Sequence, residues 1–133
     1  MITGAKIIGA LLRDYPDLVA KVPVPNIKPG ALPDDADLPA LLIRRISKRR
    51  TNAPLKPGAT ARRVERISVT VRAGNYRDQD DIITMVEAFC TGKTGDIGGG
   101  LRVSILDAGT GPDLRGPGNS FEATQDFRVS YDA

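Results

Sequence analysis

The densest set of charged side chains in the sequence lies between Ile43 and Arg66, the stretch called the basic segment below. It carries nine cations and the single acid Glu65. The cations are Arg44, Arg45, Lys48, Arg49, Arg50, Lys56, Arg62, Arg63 and Arg66. Guanidinium and ammonium groups bind phosphates and carboxylates. The segment is therefore typical of a nucleic-acid surface, of a surface that docks another protein, or of a solvated hairpin.

Charge and composition favour protein docking among these three interpretations. Nucleic-acid binding would rest on phosphate attraction alone, because the segment has no aromatic side chain on which a base could stack. The spacings of helix-turn-helix and zinc-finger motifs are also missing from the sequence. The segment has a formal charge of +8, so the rest of a chain of net charge +3 carries −5. A basic band on an acidic body suits contacts between surfaces of opposite charge.

Two glycine-containing loops approach phosphate-binding motifs without matching them. "TGKTGD" at 91–96 has Glu87 where a phosphate loop needs glycine, and it closes a helix instead of opening one. "GTGPDLRGPG" at 109–118 has Leu114 in place of the third glycine of a dinucleotide fingerprint, and a strand follows it. A helix-terminating turn and a wide hairpin loop are the favoured interpretations.

No set of residues in the sequence predicts catalysis or metal binding. Cys90 is the only cysteine, and the chain has no histidine to activate its thiol, so we expect a buried small residue there. The acids at 34–37 lack the central glycine of a calcium loop, and those at 78–81 suit the start of a helix. We expect no catalytic residue, no cofactor, no metal and no enzymatic activity.

The elements that position these residues follow from the spacing of apolar side chains. Helical spacing predicts a first helix after the N-cap Thr3 and a second within 75–92. Strands are predicted in 40–50, 62–74, 101–106 and 121–131. The stretch 23–39 is predicted to be an irregular proline-rich crossing, and 49–60 a hairpin loop. The lack of a secretory signal and of an apolar run of about 18 residues predicts neither export nor a membrane span.

These elements predict an α+β fold with the order α-β-β-α-β-β, in a single domain over 1–133. Its four-stranded, largely antiparallel sheet would be covered by helices on one face and would extend into a long basic β-hairpin. The other face would stay open to water or to a partner. Its predicted charged side chains are Arg66, Arg72, Arg102, Arg128, Glu122 and Asp126.

Four stretches of the sequence, taken in their order along the chain, form a recognisable arrangement. They are "DADLPALLIRRIS", "RISVTVRAGNYRDQDDIITMVEAF", "LRVSILDAGTGPDL" and "FEATQDFRVSY". They place a strand after "LP", an acid-rich helix after "NY", a "GPDL" loop after the next strand, and a terminal strand ending in "DFRVSY". Over Leu38 to Asp132, this arrangement resembles the tail-completion or tail-terminator proteins of long-tailed phages, prophages and gene-transfer particles.

The resemblance implies a structural virion protein that forms a six-membered ring of its own copies at the head-proximal end of the tail tube. The ring would end tube polymerisation, contact the tail tube protein and present a surface to the head-side connector or stopper protein. DNA would transit its lumen without specific binding, and no membrane would be involved. The implied location is the tail-neck region of the virion, with assembly in the host cytoplasm.

The interface expected from the charge pattern and the resemblance consists of the nine cations of the basic segment and seven further side chains. Those seven are Arg72, Arg102, Asp113, Arg115, Glu122, Asp126 and Arg128. The basic hairpin would dock on an acidic neighbour, which we favour, or would line a channel for DNA. The alternatives are another neck or head-closure component and, from a different class, a small basic nucleic-acid-binding domain.

Overall fold

The computed structural model describes residues 1–50 and 62–132. The predicted hairpin loop at 49–60 begins too early, because Arg49 and Arg50 belong to a strand. Its remainder at 51–60, Lys56 within it and the side chain of Arg50 lie outside the described residues. The helices are α1 (Gly4–Arg13), α2 (Pro16–Val19) and α3 (Tyr76–Cys90), with 3-10 turns at Val24–Asn26 and Pro117–Asn119. The strands are β1 (Ile27–Pro29), β2 (Ala40–Arg50), β3 (Arg62–Ala73), β4 (Thr94–Ile97), β5 (Gly100–Thr110), β6 (Leu114–Gly116) and β7 (Ser120–Asp132).

Both long helices begin at side-chain caps. The hydroxyl of Thr3 accepts a hydrogen bond from the Lys6 amide (3.1 Å), as its position before α1 predicted. Asn75 does the same for the Asp78 amide (2.8 Å) at the start of α3. Helix α1 ends before Pro16, because proline cannot continue the hydrogen-bond ladder of a helix.

The strands form one mixed sheet in the order β1-β2-β3-β7-β5-β4, with β6 paired to β7. β1 runs parallel to β2, and the other pairings are antiparallel. β3 and β7 pair over twelve residues, from Arg62 opposite Asp132 to Ala73 opposite Phe121. These two strands form the centre of the sheet, and the sheet curves into a half-barrel.

The predicted fold class, a four-stranded largely antiparallel sheet with the order α-β-β-α-β-β, is wrong. The sheet has seven strands in the described part of the chain and is mixed. The predicted crossing at 23–39 contains β1, whose Pro29 is tolerated because an edge strand does not need every amide. β4 lies in the glycine-rich turn after α3, and β6 lies in the loop at 109–118. These three strands are too short to show alternation.

One apolar cluster lies between the helices and the inner face of the sheet. Helix α1 contributes Ile7, Ile8 and Leu12, and α3 contributes Ile82 and Val86. The strands contribute Leu41, Ile43, Ile67, Val69, Val71, Val103, Ile105, Ala123, Phe127, Val129 and Tyr131. Burial of these side chains is the main force that holds the helices on the sheet.

A β-bulge in β2 decides which side chains face outward. The pairing of β2 with β3 shifts between Arg45 and Ser47, and this leaves Ile46 as the extra residue. Before the bulge, Arg45 pairs with the inward-facing Ile67; after it, Ser47 pairs with the outward-facing Arg66. The adjacent arginines at 44 and 45 both precede the bulge, and ordinary alternation places Arg44 outward opposite Ser68 and Arg45 inward opposite Ile67.

Candidate protein interface on the outer face of the sheet

The outer face is the side of the sheet opposite the helices, and a row of four residues crosses its centre. Ser47 on β2, Arg66 on β3, Arg128 on β7 and Leu106 on β5 are cross-strand neighbours in that order. Ile46 lies beside this row at the bulge. Ile46 is 53% exposed and Leu106 is 51% exposed, so both ends of the row present apolar surface to solvent.

Arg66, one of the predicted interface arginines, forms an ion pair with an acid of the neighbouring strand. Arg66 Nε lies 2.8 Å from Asp126 Oδ2, and its Nη2 donates to the Ala108 carbonyl at 3.0 Å. About half of the Arg66 side chain remains exposed, so this pair can still contact a partner. Arg128 is also exposed on the same face.

Arg72 holds the fold together instead of presenting a free charge. Its Nε lies 2.9 Å from Glu122 Oε2, and its Nη1 donates to the Pro33 carbonyl at 2.8 Å. The residue is only 7% exposed. Arg72 and Glu122 therefore anchor the proline-rich crossing to β7, and Arg72 offers almost no surface for docking.

An open groove of about 320 Å³ lies on the outer face between the bulge and the loop after β5. Its lining comprises Ile46, Arg66, Ser68, Gly109, Thr110, Gly111, Thr124 and Asp126. One apolar side chain, one ion pair and several backbone groups give it the mixed character of a surface that accepts protein side chains.

Asp132 joins two further predicted interface residues at the end of the sheet. Its Oδ1 lies 3.2 Å from Arg62 Nη1, and its Oδ2 lies 2.5 Å from Arg102 Nε. The hydrogen bond from Arg102 lowers the pKa of Asp132, and the same contact raises the pKa of Arg102. Arg62 also donates to the Arg102 carbonyl at 2.6 Å. This node links β3, β5 and β7.

The cations of β2 differ from those of β3 in how far they are neutralised. Arg44, Lys48 and Arg49 take part in none of the ion pairs formed within residues 1–50 and 62–132. Arg44 and Arg49 are exposed, and Lys48 is half-buried. Arg63 instead lies beside Tyr131 on the inner side of the sheet, with its Nε and Nη1 enclosed. Three cations that take part in no ion pair of the described residues thus lie along β2.

Glu65, the lone acid of the basic segment, is fully buried beneath the start of α1. Its Oε2 accepts hydrogen bonds from the Gly4 amide (2.6 Å) and from the Tyr131 hydroxyl. Its Oε1 lies 3.7 Å from Arg45 Nη1. Burial raises the pKa of Tyr131 to about 12, with a further contribution from the hydrogen bond to Glu65. The carboxylate therefore joins β3, β7 and the positive end of a helix.

The loop at 109–118 is held down by the two interface residues predicted in it. Asp113 Oδ1 accepts a hydrogen bond from Gln79 Nε2 of α3 at 3.1 Å. The Arg115 guanidinium donates to the carbonyls of Asn119 and Ser120 and lies 3.9 Å from the centre of the Phe121 ring. Both side chains are on exposed residues and also have a structural role.

The other groups considered for catalysis or phosphate binding have structural roles. Cys90 is buried, and desolvation raises the pKa of its thiol to about 12, which disfavours the reactive thiolate. The segment 91–96 ends α3 and runs into β4. Within the described ranges, no three metal-ligating side chains come together, and no helix is long and apolar enough to cross a membrane.

Four residues that position or form this surface were missed in the sequence: Glu65, Asp132, Ile46 and Leu106. A signal existed for Glu65, because it is two residues before Ile67 and shares the inner face of β3. The alternation in β5 likewise placed Leu106 outward. The role of Asp132 and the exposure of Ile46 depend on strand register and on the bulge, for which the sequence carries no signal.

Comparison with family models and with curated proteins gives no match. Among solved structures, a chain of the "Virion of native gene transfer agent (GTA) particle" is similar to this protein. The alignment covers 98% of this chain and 95% of that chain, with a TM-score of 0.63 and 17% identity. At that identity, the likeness establishes a shared fold over nearly the whole of both chains.

Proposed function

We propose that this chain is a structural virion protein, not an enzyme, which acts by docking to other protein subunits in a phage or gene-transfer particle. In its finer form, the proposal is a tail terminator. Copies form a ring at the head-proximal end of the tail tube, end tube polymerisation and join the tail to the head-side connector.

The observation that carries the proposal is the fold shared, end to end, with a chain of a gene-transfer virion. The outer face supports it independently, because it combines exposed apolar side chains, an open groove and cations that lack a described partner. Such a surface suits association with proteins of opposite charge. The buried thiol with its raised pKa also fits a protein without turnover.

The test is whether the protein forms rings and caps tail tubes. Sedimentation velocity over a range of concentrations should show a discrete oligomer, and negative-stain images should show it at one end of purified tubes. The double variant Arg44→Glu/Arg49→Glu should lose this binding, whereas Lys21→Glu, an exposed cation outside the sheet, should keep it. A protein that stays monomeric and leaves tubes uncapped at high concentration would disprove the proposal.

One observation favours a second candidate function, a small nucleic-acid-binding domain. The unneutralised and exposed Arg44 and Arg49 lie on the outer face of a single strand, where both can contact phosphates. This candidate predicts binding of a generic DNA duplex that weakens steeply with added salt. Fluorescence anisotropy decides the matter: a parent protein that does not bind duplex at low salt excludes this function.

A further inference from the structure

Two stretches of strand edge are left uncovered at opposite sides of the sheet. β1 covers β2 only as far as Ile43, where the Gly30 amide donates to the Ile43 carbonyl at 2.9 Å. From Arg44 to Arg49, no described strand pairs with the edge of β2 that faces away from β3. On the far side, β4 and the turn before it cover β5 only as far as Ile105.

Each uncovered edge presents one large apolar side chain on the outer face. Ile46 lies on the β2 edge, and Leu106 lies on the β5 edge. Arg66 and Arg128 lie between them in the cross-strand row. An exposed edge with an apolar side chain is a site for pairing with another strand, and proteins usually guard such edges with charge or a bulge. Here the apolar residue of β2 is itself the bulge residue.

The two edges carry complementary charges. The β2 edge has Lys48, which shares the inner face with Glu65 and takes part in none of the ion pairs of the described residues. The β5 edge has the exposed Asp107, whose Oδ1 accepts from the Gln125 amide group (2.8 Å) and the Gly109 amide (2.7 Å). These two bonds fix the carboxylate, and its Oδ2 accepts none of the described hydrogen bonds. Asp107 lies opposite the inward-facing Phe127, and a fixed carboxylate with one free oxygen is a suitable partner for a cation on that same face.

We infer that copies of this chain join edge to edge, with β2 of one copy beside β5 of the next. Ile46 then packs against Leu106 of the neighbouring copy on the outer face, and Lys48 of β2 lies on the same inner face as its Asp107. Two β2 edges cannot pair in this way, because their arginines would oppose each other. The paired edges are different surfaces, so the association is head to tail and generates a ring or an open filament. This inference rests on the proposed function and supplies the contact for its ring.

Cysteine cross-linking tests the contact directly. Ile46→Cys and Leu106→Cys are made as separate proteins, mixed at a concentration where the parent protein oligomerises, and treated with a short bismaleimide. The native Cys90 is buried and remains unmodified, which the parent protein controls. The mixture should give a covalent dimer that neither protein gives alone. Leu114→Cys, at an equally exposed position on β6, should give no dimer when mixed with Ile46→Cys.

The outcomes separate this inference from the proposed function. A dimer of Ile46→Cys with itself overturns the head-to-tail contact. A parent protein that forms rings, while the mixture gives no dimer, overturns the edge contact and leaves the ring in place. A mixed dimer from a protein that never caps tubes supports the contact and contradicts the tail role. Ile46→Asp should also weaken self-association about tenfold or more, because it loses apolar burial at the contact.

Discussion

Replacement of Glu65 by glutamine tests the central buried contact of the hairpin. The carboxylate is fully buried, and one of its oxygens accepts from both the Gly4 amide and the Tyr131 hydroxyl. A hydrogen bond to a charged group contributes about 1.5–3 kcal/mol, compared with about 0.5–1.5 kcal/mol for a neutral one. Glutamine keeps one acceptor oxygen and the same shape, so Glu65→Gln isolates the charge.

Several effects determine how far Glu65→Gln changes the free energy of unfolding. Conversion of two charge-assisted hydrogen bonds into neutral ones costs about 2–3 kcal/mol. Loss of the ion pair with Arg45 adds at most about 1 kcal/mol, because half of that side chain is exposed. The new amide also places donors where Oε1 has no hydrogen-bond partner among the described residues. The opposing effect is relief of carboxylate desolvation. We expect Glu65→Gln to lower the free energy of unfolding by about 2–4 kcal/mol.

Urea denaturation followed by circular dichroism measures this change, and hydrogen exchange at the Gly4 amide locates it. Glu87→Gln, at an exposed position on α3, is the matched control and should change stability by less than about 0.5 kcal/mol. If Glu65→Gln is as stable as the parent protein or more stable, desolvation outweighs the hydrogen bonds, and the reasoning is refuted.

Three further predictions concern Tyr131, Cys90 and Arg72. The pKa of Tyr131 is raised to about 12 in the folded protein. The neutral hydroxyl therefore stabilises the folded state fully below about pH 10, and this stabilisation is lost as the pH rises to about 12. The free energy of unfolding should fall by about 2–3 kcal/mol over that range; Tyr131→Phe should lack this fall, and Tyr76→Phe should keep it. Burial raises the pKa of the Cys90 thiol to about 12, so Ellman's reagent should react with it at pH 8 only after the protein is unfolded in urea. A rapid reaction with the folded protein would contradict this prediction. Arg72→Ala removes two charged hydrogen bonds and should lower the free energy of unfolding, measured by urea denaturation, by about 2–4 kcal/mol. Arg66→Ala, at a half-exposed ion pair, should lower it by less than about 1 kcal/mol. Equal losses for the two variants would disprove the anchoring role of Arg72.

The parts of the fold that the sequence predicts are those with long amphipathic patterns. Helices α1 and α3 and strands β3, β5 and β7 bury regularly spaced apolar residues, and their positions were predicted. β1, β4 and β6 have three or four residues each and lie among prolines or glycines. Their pairing is imposed by the neighbouring strands, so the fold class could not be obtained from local pattern.

The charged residues of the candidate interface could be predicted from the sequence, but the ion pairs among them could not. The outward positions of Arg66 and Arg72 follow from alternation along β3. Their neutralisation by Asp126 and Glu122 depends on the register of β3 against β7, and the paired residues are 60 and 50 positions apart in the chain. The interface proposed from the sequence therefore included Arg72, which the structure buries.

The bulge at Ile46 separates the apolar surface of β2 from its charge pattern. Arg45 and Ser47 pair with consecutive residues of β3, so deletion of Ile46 would restore regular pairing and leave Lys48 inward and Arg49 outward. A related protein could therefore lose the exposed apolar side chain at this edge without moving any cation to the other face. In such an alignment, one gap at this position would mark the loss of an apolar contact, even where every charged residue is retained.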